Sequence, residues 1–147
     1  MIIDRHLKGH DYIFWLDADF IEIQSDAVTR LVQSGRDMVI PIYLVGQSDV
    51  YYDCSSCQYT PDGKEIYIWE LMAKHPGAEL IDLHVANAAS LVKANVLQTV
   101  RYADTGEMQE GTSLSYAARK AGFKIALHTG VVIRHAEICG TKPLPTE

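Results

Sequence analysis

Apolar residues fall into short runs along this chain, and the spacing within each run predicts an element. Tyr12 to Leu16 is an unbroken stretch of aromatic, β-branched and leucine residues, the pattern of a strand buried on both faces. It stops at Asp17-Ala18-Asp19. Ser25 then reads as a helix N-cap with Asp26 at the positive helix end. Val28, Leu31 and Val32 form an apolar stripe at i, i+3 and i+4, and Gly35 suits the C′ position. A second strand, Asp37 to Ile42, follows after a short link. Residues 2–9 could form the last turns of a helix ending at Gly9.

Strand, turn, helix and strand in tight succession predict an α/β layer. Residues 43–64 are rich in Gly, Ser, Asp and Tyr and read as a long loop, with a turn at Pro61-Asp62-Gly63. Ile66 to Met72 fits strand or helix, and Pro76-Gly77 breaks either. Residues 87–93 read as a strand of small residues running into a short helix at 94–99. Glu110 to Ala121 is predicted helical, with Leu114, Ala117, Ala118 and Ala121 on one face. Arg119 and Lys120 suit its C-terminal end, and Gly122 closes it. Two strands, about 123–128 and 131–134, follow around Gly130. The expectation is one domain over 1–147, a mixed sheet flanked by helices, with 141–147 as a frayed tail.

Composition narrows the function classes. With 48% hydrophobic and 22% charged residues in 147, the chain suits a single packed core. Its formal net charge of −6 argues against nucleic-acid binding through a broad basic surface. No apolar run approaches the roughly 20 residues of a membrane span, and no signal segment is evident, so cytoplasm is the default expectation. Three cysteines are too few and too uneven for a disulfide framework.

The candidate chemistry starts at Asp17 and Asp19. Alternation along a strand would point both carboxylates the same way, about 6.6 Å apart. Two carboxylates so placed suit a hard cation such as Mg²⁺ or Mn²⁺, with diphosphate oxygens and water completing its shell. The alternative is a solvated turn with Asp19 and Glu22 on the surface. Their place at the carboxyl end of a buried strand, where open α/β sheets bind ligands, favours the site.

Further motifs carry a resemblance. Tyr12–Asp19 follows Y-x-x-x-L-D-A-D; Glu110 opens a helix; Arg119 to Ile125 follows R-x-A-G-[YF]-x-I; and Val131 to His135 is a strand ending in histidine. In that order they resemble GT-A glycosyltransferases. Leu16-Asp-Ala-Asp19, Tyr52-Asp53 followed by Ser55, and Ser90 to Ala94 are most similar to mannan-polymerase-type α-mannosyltransferases and family 2-like enzymes. The resemblance implies a sugar nucleotide held by Asp17 and Asp19, and a metal held by Asp17, Asp19 and His135. Asp19 would be the direct ligand, and Asp17 would contact the ribose or a metal-bound water. The histidine makes Mn²⁺ the better choice over Mg²⁺. Glu110 would act near the acceptor hydroxyl or the anomeric centre.

Two departures qualify the resemblance. Inverting members carry Glu-Asp at the helix start, where this chain has Glu110-Gly111. Either Glu110 takes the proton, or the reaction retains configuration and needs no base there. Only 16 residues precede Asp17, so the base-binding half is expected to be missing, making this a truncated GT-A domain. A partner or a second copy would then supply that surface. A non-catalytic binding relic and a metal-dependent phosphohydrolase are the competing readings.

Weaker features remain. Cys54 and Cys57 have C-x₂-C spacing, but zinc would need Cys139 with His135 or His128 folded back, and two loop thiols is the plainer reading. Tyr51, Tyr52, Tyr59, Tyr67 and Trp69 could stack on sugar rings or belong to the core. Lys93 and Arg101 could reach phosphates or be solvated, and His84 reads as structural.

Overall fold

The computed structural model describes residue 7 and residues 9–52, 55–87, 89–100 and 110–136, the side chain of Glu110 excepted. Its centre is β3 (Met38–Val45), in which all eight residues are buried. Such a run is stable only with a packed layer on each side, and alternation divides its side chains between two. Met38, Ile40, Ile42 and Leu44 enter the larger core with residues of the helices α2 (Ile68–Lys74), α3 (Ala94–Thr99) and α4 (Glu110–Lys120). Val39 turns the other way, onto Ala27 and Leu31 of α1 (Ala27–Gln33). Each such aliphatic side chain, fully buried, contributes about 1.5–3 kcal/mol of transfer free energy.

The main sheet runs β1 (Tyr12–Trp15), β7 (Ser90–Lys93), β3, β8 (Ile125–His135), β2 (Phe20–Ile23). β3 and β8 are parallel; β7 is antiparallel to both β1 and β3. Thus β1, β3 and β8 point the same way. β8 meets β3 along one edge, and on its other edge two short strands share its length. β6 (Leu80–Asp82) pairs with Ala126 to His128, and β2 with Ile133 to His135. Between them the β3 register breaks: Pro41 faces His128, yet the next residue, Ile42, faces Val132. A separate hairpin joins β4 (Cys57–Tyr59) and β5 (Glu65–Tyr67).

The sheet is curled. Phe14 of β1 and Ile23 of β2, from opposite edges, pack into the same cluster with Tyr43 and Ile133. Chain length requires this. Trp15 and Phe20 are five Cα steps apart, at most about 18 Å, whereas four flat strand spacings need about 19 Å.

Several sequence expectations change in detail. α1 starts at Ala27, with Asp26 rather than Ser25 as N-cap and no side-chain capping bond. Val28, placed on the buried stripe, is 45% exposed, and Ala27 takes its place in the core. The loop expected from residue 43 begins later, because Tyr43 to Val45 continue β3, and it contains β4. The ambiguous 66–72 segment is both things, since β5 ends at Tyr67 and α2 begins at Ile68. The two expected C-terminal strands are one strand with a register shift. Gly35 (φ 69°) and Gly122 (φ 89°) do close their helices in left-handed backbone. The expectations for 2–9 and 141–147 fall wholly or mostly outside the described residues. Among the described residues, no helix is long and apolar enough to cross a membrane.

Candidate metal centre

Strands β1, β3 and β8 all deliver their carboxyl ends to one rim of the sheet, the position at which α/β sheets bind ligands. Residues 16–19 cross this rim from β1 to β2. Asp17 and Asp19 therefore lie in the connection and not on a strand, as the sequence reading had assumed. What brings them together is the crossing itself: it turns both carboxylates toward His135, the last residue of β8. One ligand atom from each of Asp17, Asp19 and His135 lies within 4.8 Å of the others. Both aspartates are exposed, and His135 is 1% exposed.

His135 is held on several sides. Its Nδ1 lies 2.7 Å from the Ala136 carbonyl, so that nitrogen carries the donated hydrogen. Nε2 is left 2.8 Å from Asp19 Oδ1, close to the separation of two neighbouring ligands of one small cation. A ring N–H donated to a backbone carbonyl is the usual second contact of a metal-binding histidine. The backbone is fixed as well. Ala136 N–H donates to the Asp19 carbonyl at 2.8 Å, and Gly46 N–H donates to the His135 carbonyl at 2.8 Å.

Two tyrosines complete the setting. Tyr52 stacks on the imidazole of His135, and Tyr43 meets the same ring edge-on at 5.6 Å. Tyr43 Oη donates a long hydrogen bond, 3.4 Å, to Asp17 Oδ2. Burial, then the Asp17 carboxylate, raise the Tyr43 pKa; burial, Asp17 and Asp19 raise that of Tyr52. Both phenols stay protonated, and Tyr43 serves as a donor. Tyr43 was not distinguishable in sequence from the apolar run before it. Its signal is a polar tip placed where a buried strand reaches the ligand-binding rim.

The donor set fits a hard divalent cation. Two carboxylate oxygens and one imidazole suit Mn²⁺ better than Mg²⁺, and leave coordination positions for phosphate oxygen or water. Opposite ligands in a shell with about 2.1 Å bonds are about 4.2 Å apart. The widest pair here needs to close by about half an ångström, which exposed aspartates can do by rotation.

The other sequence candidates separate. Glu110 is the first residue of α4. Beside it, Gly111 lies so near Asn87 that an added Cβ would be 2.5 Å from Asn87 Oδ1. Lys93 is committed to Asp37 and the Gly35 carbonyl, both at 3.0 Å. Burial works to raise the Asp37 carboxyl, but the Lys124 amide and Lys93 outweigh it and hold the pKa below its ordinary value. His84 is structural: its Nδ1 accepts from Tyr59 N–H at 2.8 Å. Tyr67 and Trp69 stack on each other with centroids 4.8 Å apart, and Tyr51 donates to Met72 Sδ. Cys57 is buried on β4 and is no loop thiol; Cys54, Cys139 and Arg101 lie outside the described residues. Among the described residues, Asp17, Asp19 and His135 are the one such group able to hold a metal.

Comparison with known proteins gives little to set beside this geometry. No protein-family model matches the chain, and no curated protein matches it. Among solved structures, the crystal structure of A197 from STIV is similar, with a TM-score of 0.48 and 17% identity over 90% of this chain. The chain spans 62% of the length of A197.

Proposed function

We propose that this chain is a metal-dependent glycosyltransferase, moving a sugar from a nucleoside diphosphate sugar to a hydroxyl of a glycan or similar acceptor. The observation that supports it is the meeting of Asp17, Asp19 and His135 at the carboxyl ends of β3 and β8. Asp19 and His135 would hold Mn²⁺ or Mg²⁺ directly, and Asp17, steadied by Tyr43, would hold a metal-bound water or the ribose. When bound, the cation supplies charge neutralisation for the departing diphosphate. Glu110, at the start of α4, is the residue assigned to the acceptor hydroxyl.

A second reading, a binding protein of the same architecture without turnover, draws on Gly111. A carboxylate there would have to displace Asn87, so this helix start is built without the base that inverting enzymes place at that position. Thermal unfolding of the full chain with Mn²⁺ plus UDP or GDP tests the binding common to both readings. At a hundred times Kd a ligand stabilises the folded state by about 2.7 kcal/mol. No rise in midpoint with either pair overturns the glycosyltransferase. A rise without sugar release or transfer from any UDP- or GDP-sugar selects the binding protein.

A further inference from the structure

The opposite end of the parallel strands carries a feature the metal centre does not use. An open cavity of about 380 Å³ is lined by Arg36, Asp82, Arg119, Gly122, Phe123, Lys124 and Ile125. Its size is in the range of small-molecule sites. It adjoins the start of β8, whereas His135 ends that strand roughly 30 Å further along. One ligand of nucleotide-sugar size cannot readily serve both.

The lining holds three cations and one carboxylate, in a chain whose net charge is −6. Two of the cations are pre-oriented. Arg119 Nη1 donates to the Leu83 carbonyl at 3.0 Å, and Arg36 Nη2 is 3.0 Å from Asp82 Oδ1. A guanidinium has five N–H donors, so each keeps others for a ligand. Lys124 is exposed, and its backbone N–H is tied to Asp37 Oδ2 at 2.9 Å, which fixes where its side chain starts. Phe123 adds an apolar wall.

Two effects oppose an anion here, and both are reduced. The C-terminal end of α4 is electronegative, but a Schellman cap engages its carbonyls. Phe123 N–H donates to Ala118 O and Gly122 N–H to Arg119 O. Asp82 already takes one arginine, but its side chain is 63% exposed and can leave.

We propose that this cavity binds a phosphate-bearing anion, held by Arg36, Arg119 and Lys124, with the Asp82 carboxylate as the group it displaces. Three cations around one space favour a multiply charged tetrahedral group over a single carboxylate. The assignment does not depend on the sugar-nucleotide reading.

Isothermal titration of the full chain with inorganic triphosphate, in EDTA to silence the metal centre, tests it. The expected result is saturable one-to-one binding, weakened about tenfold or more by Lys124→Glu and by Arg36→Gln. Asp82→Asn should tighten binding about threefold, since it removes the competing anion. Asp19→Asn, at the other end of the sheet, should leave it unchanged. Circular dichroism and the melting midpoint establish folding, and if Lys124→Glu fails to fold, Arg36→Gln decides alone. Absence of saturable binding, parent-like affinity in the folded cavity variants, or loss in Asp19→Asn overturns the proposal. Citrate binding as tightly as triphosphate overturns the phosphate assignment.

Discussion

Tyr52 lies flat against the imidazole of His135, with ring centroids 4.0 Å apart and planes 12° from parallel. One side of the ring is thereby fixed, while Nδ1 is fixed by the Ala136 carbonyl. The stack sets the direction of Nε2 from the face of the ring. If the centre holds Mn²⁺ as proposed, Tyr52→Ala should weaken its binding by about 10–100-fold, as loss of outer-shell support does, whereas Tyr52→Phe keeps the stack and should retain most of the affinity. Titration calorimetry with Mn²⁺ checks this. Equal losses in both variants would assign the effect to the hydroxyl instead.

Arg134 ties the rim together from below. Its Nη1 donates to the carbonyls of Gly46 at 3.0 Å and Ser48 at 2.9 Å, and its Nε lies 3.6 Å from Glu22. Arg134→Ala should cost about 1–3 kcal/mol in urea denaturation, the scale of charge-assisted hydrogen bonds. Glu22→Ala should cost under about 1 kcal/mol, because that partner is 60% exposed and solvent screens the pair. A larger loss for Glu22 than for Arg134 would reverse the assignment.

Acid should destabilise the fold through His128. The ring is buried; burial, then Arg30, lower its pKa from the ordinary 6.5, outweighing the opposite pull of Glu79. The unfolded chain regains the ordinary value and so binds the proton first as pH falls. The stability from a neutral His128 is thus fully present above about pH 6.5 and lost as pH drops through the folded-state value. His84 is shifted the same way, by burial and then Arg119. The urea midpoint should fall between about pH 7.5 and about pH 5.5, and less steeply in His128→Gln. An equally steep fall in that variant would place the cause elsewhere.

Gly111 and Asn87 should be energetically coupled. Alanine at a helical glycine gains about 1 kcal/mol of backbone entropy, but here the new Cβ meets Asn87 Oδ1. Gly111→Ala should stabilise the chain in an Asn87→Ala background and do so less, or not at all, in the parent. The double-mutant cycle should show a coupling of about 1 kcal/mol. Additive effects would mean that Asn87 moves aside without cost.

The parts legible in sequence were those fixed by local periodicity. Tyr12 to Trp15, the helix from Glu110 and the glycine stops at 35 and 122 need only neighbouring residues to be read. The carboxylate pair was legible as composition at a strand end, though for a partly mistaken reason: the aspartates converge through a crossing between sheet edges and not through strand alternation. Tyr43 and the cavity at Arg36, Arg119 and Lys124 were not legible. Both depend on pairing of β3 with a strand over 80 residues away, and no local pattern encodes that register.

The register break in β8 has a consequence for handedness of presentation. Thr129, Gly130 and Val131 have no partner on β3, and three is an odd number. Upstream, Ile125 and Leu127 belong to the large helical core; downstream, Ile133 joins Tyr43 on the opposite side. Uninterrupted alternation would send residues 133 and 135 to the same side as 125 and 127. The bulge exchanges the two sides midway, as bulges near sites do. It is therefore a parity device. Without that exchange His135 would point into the helical core, away from Asp17 and Asp19.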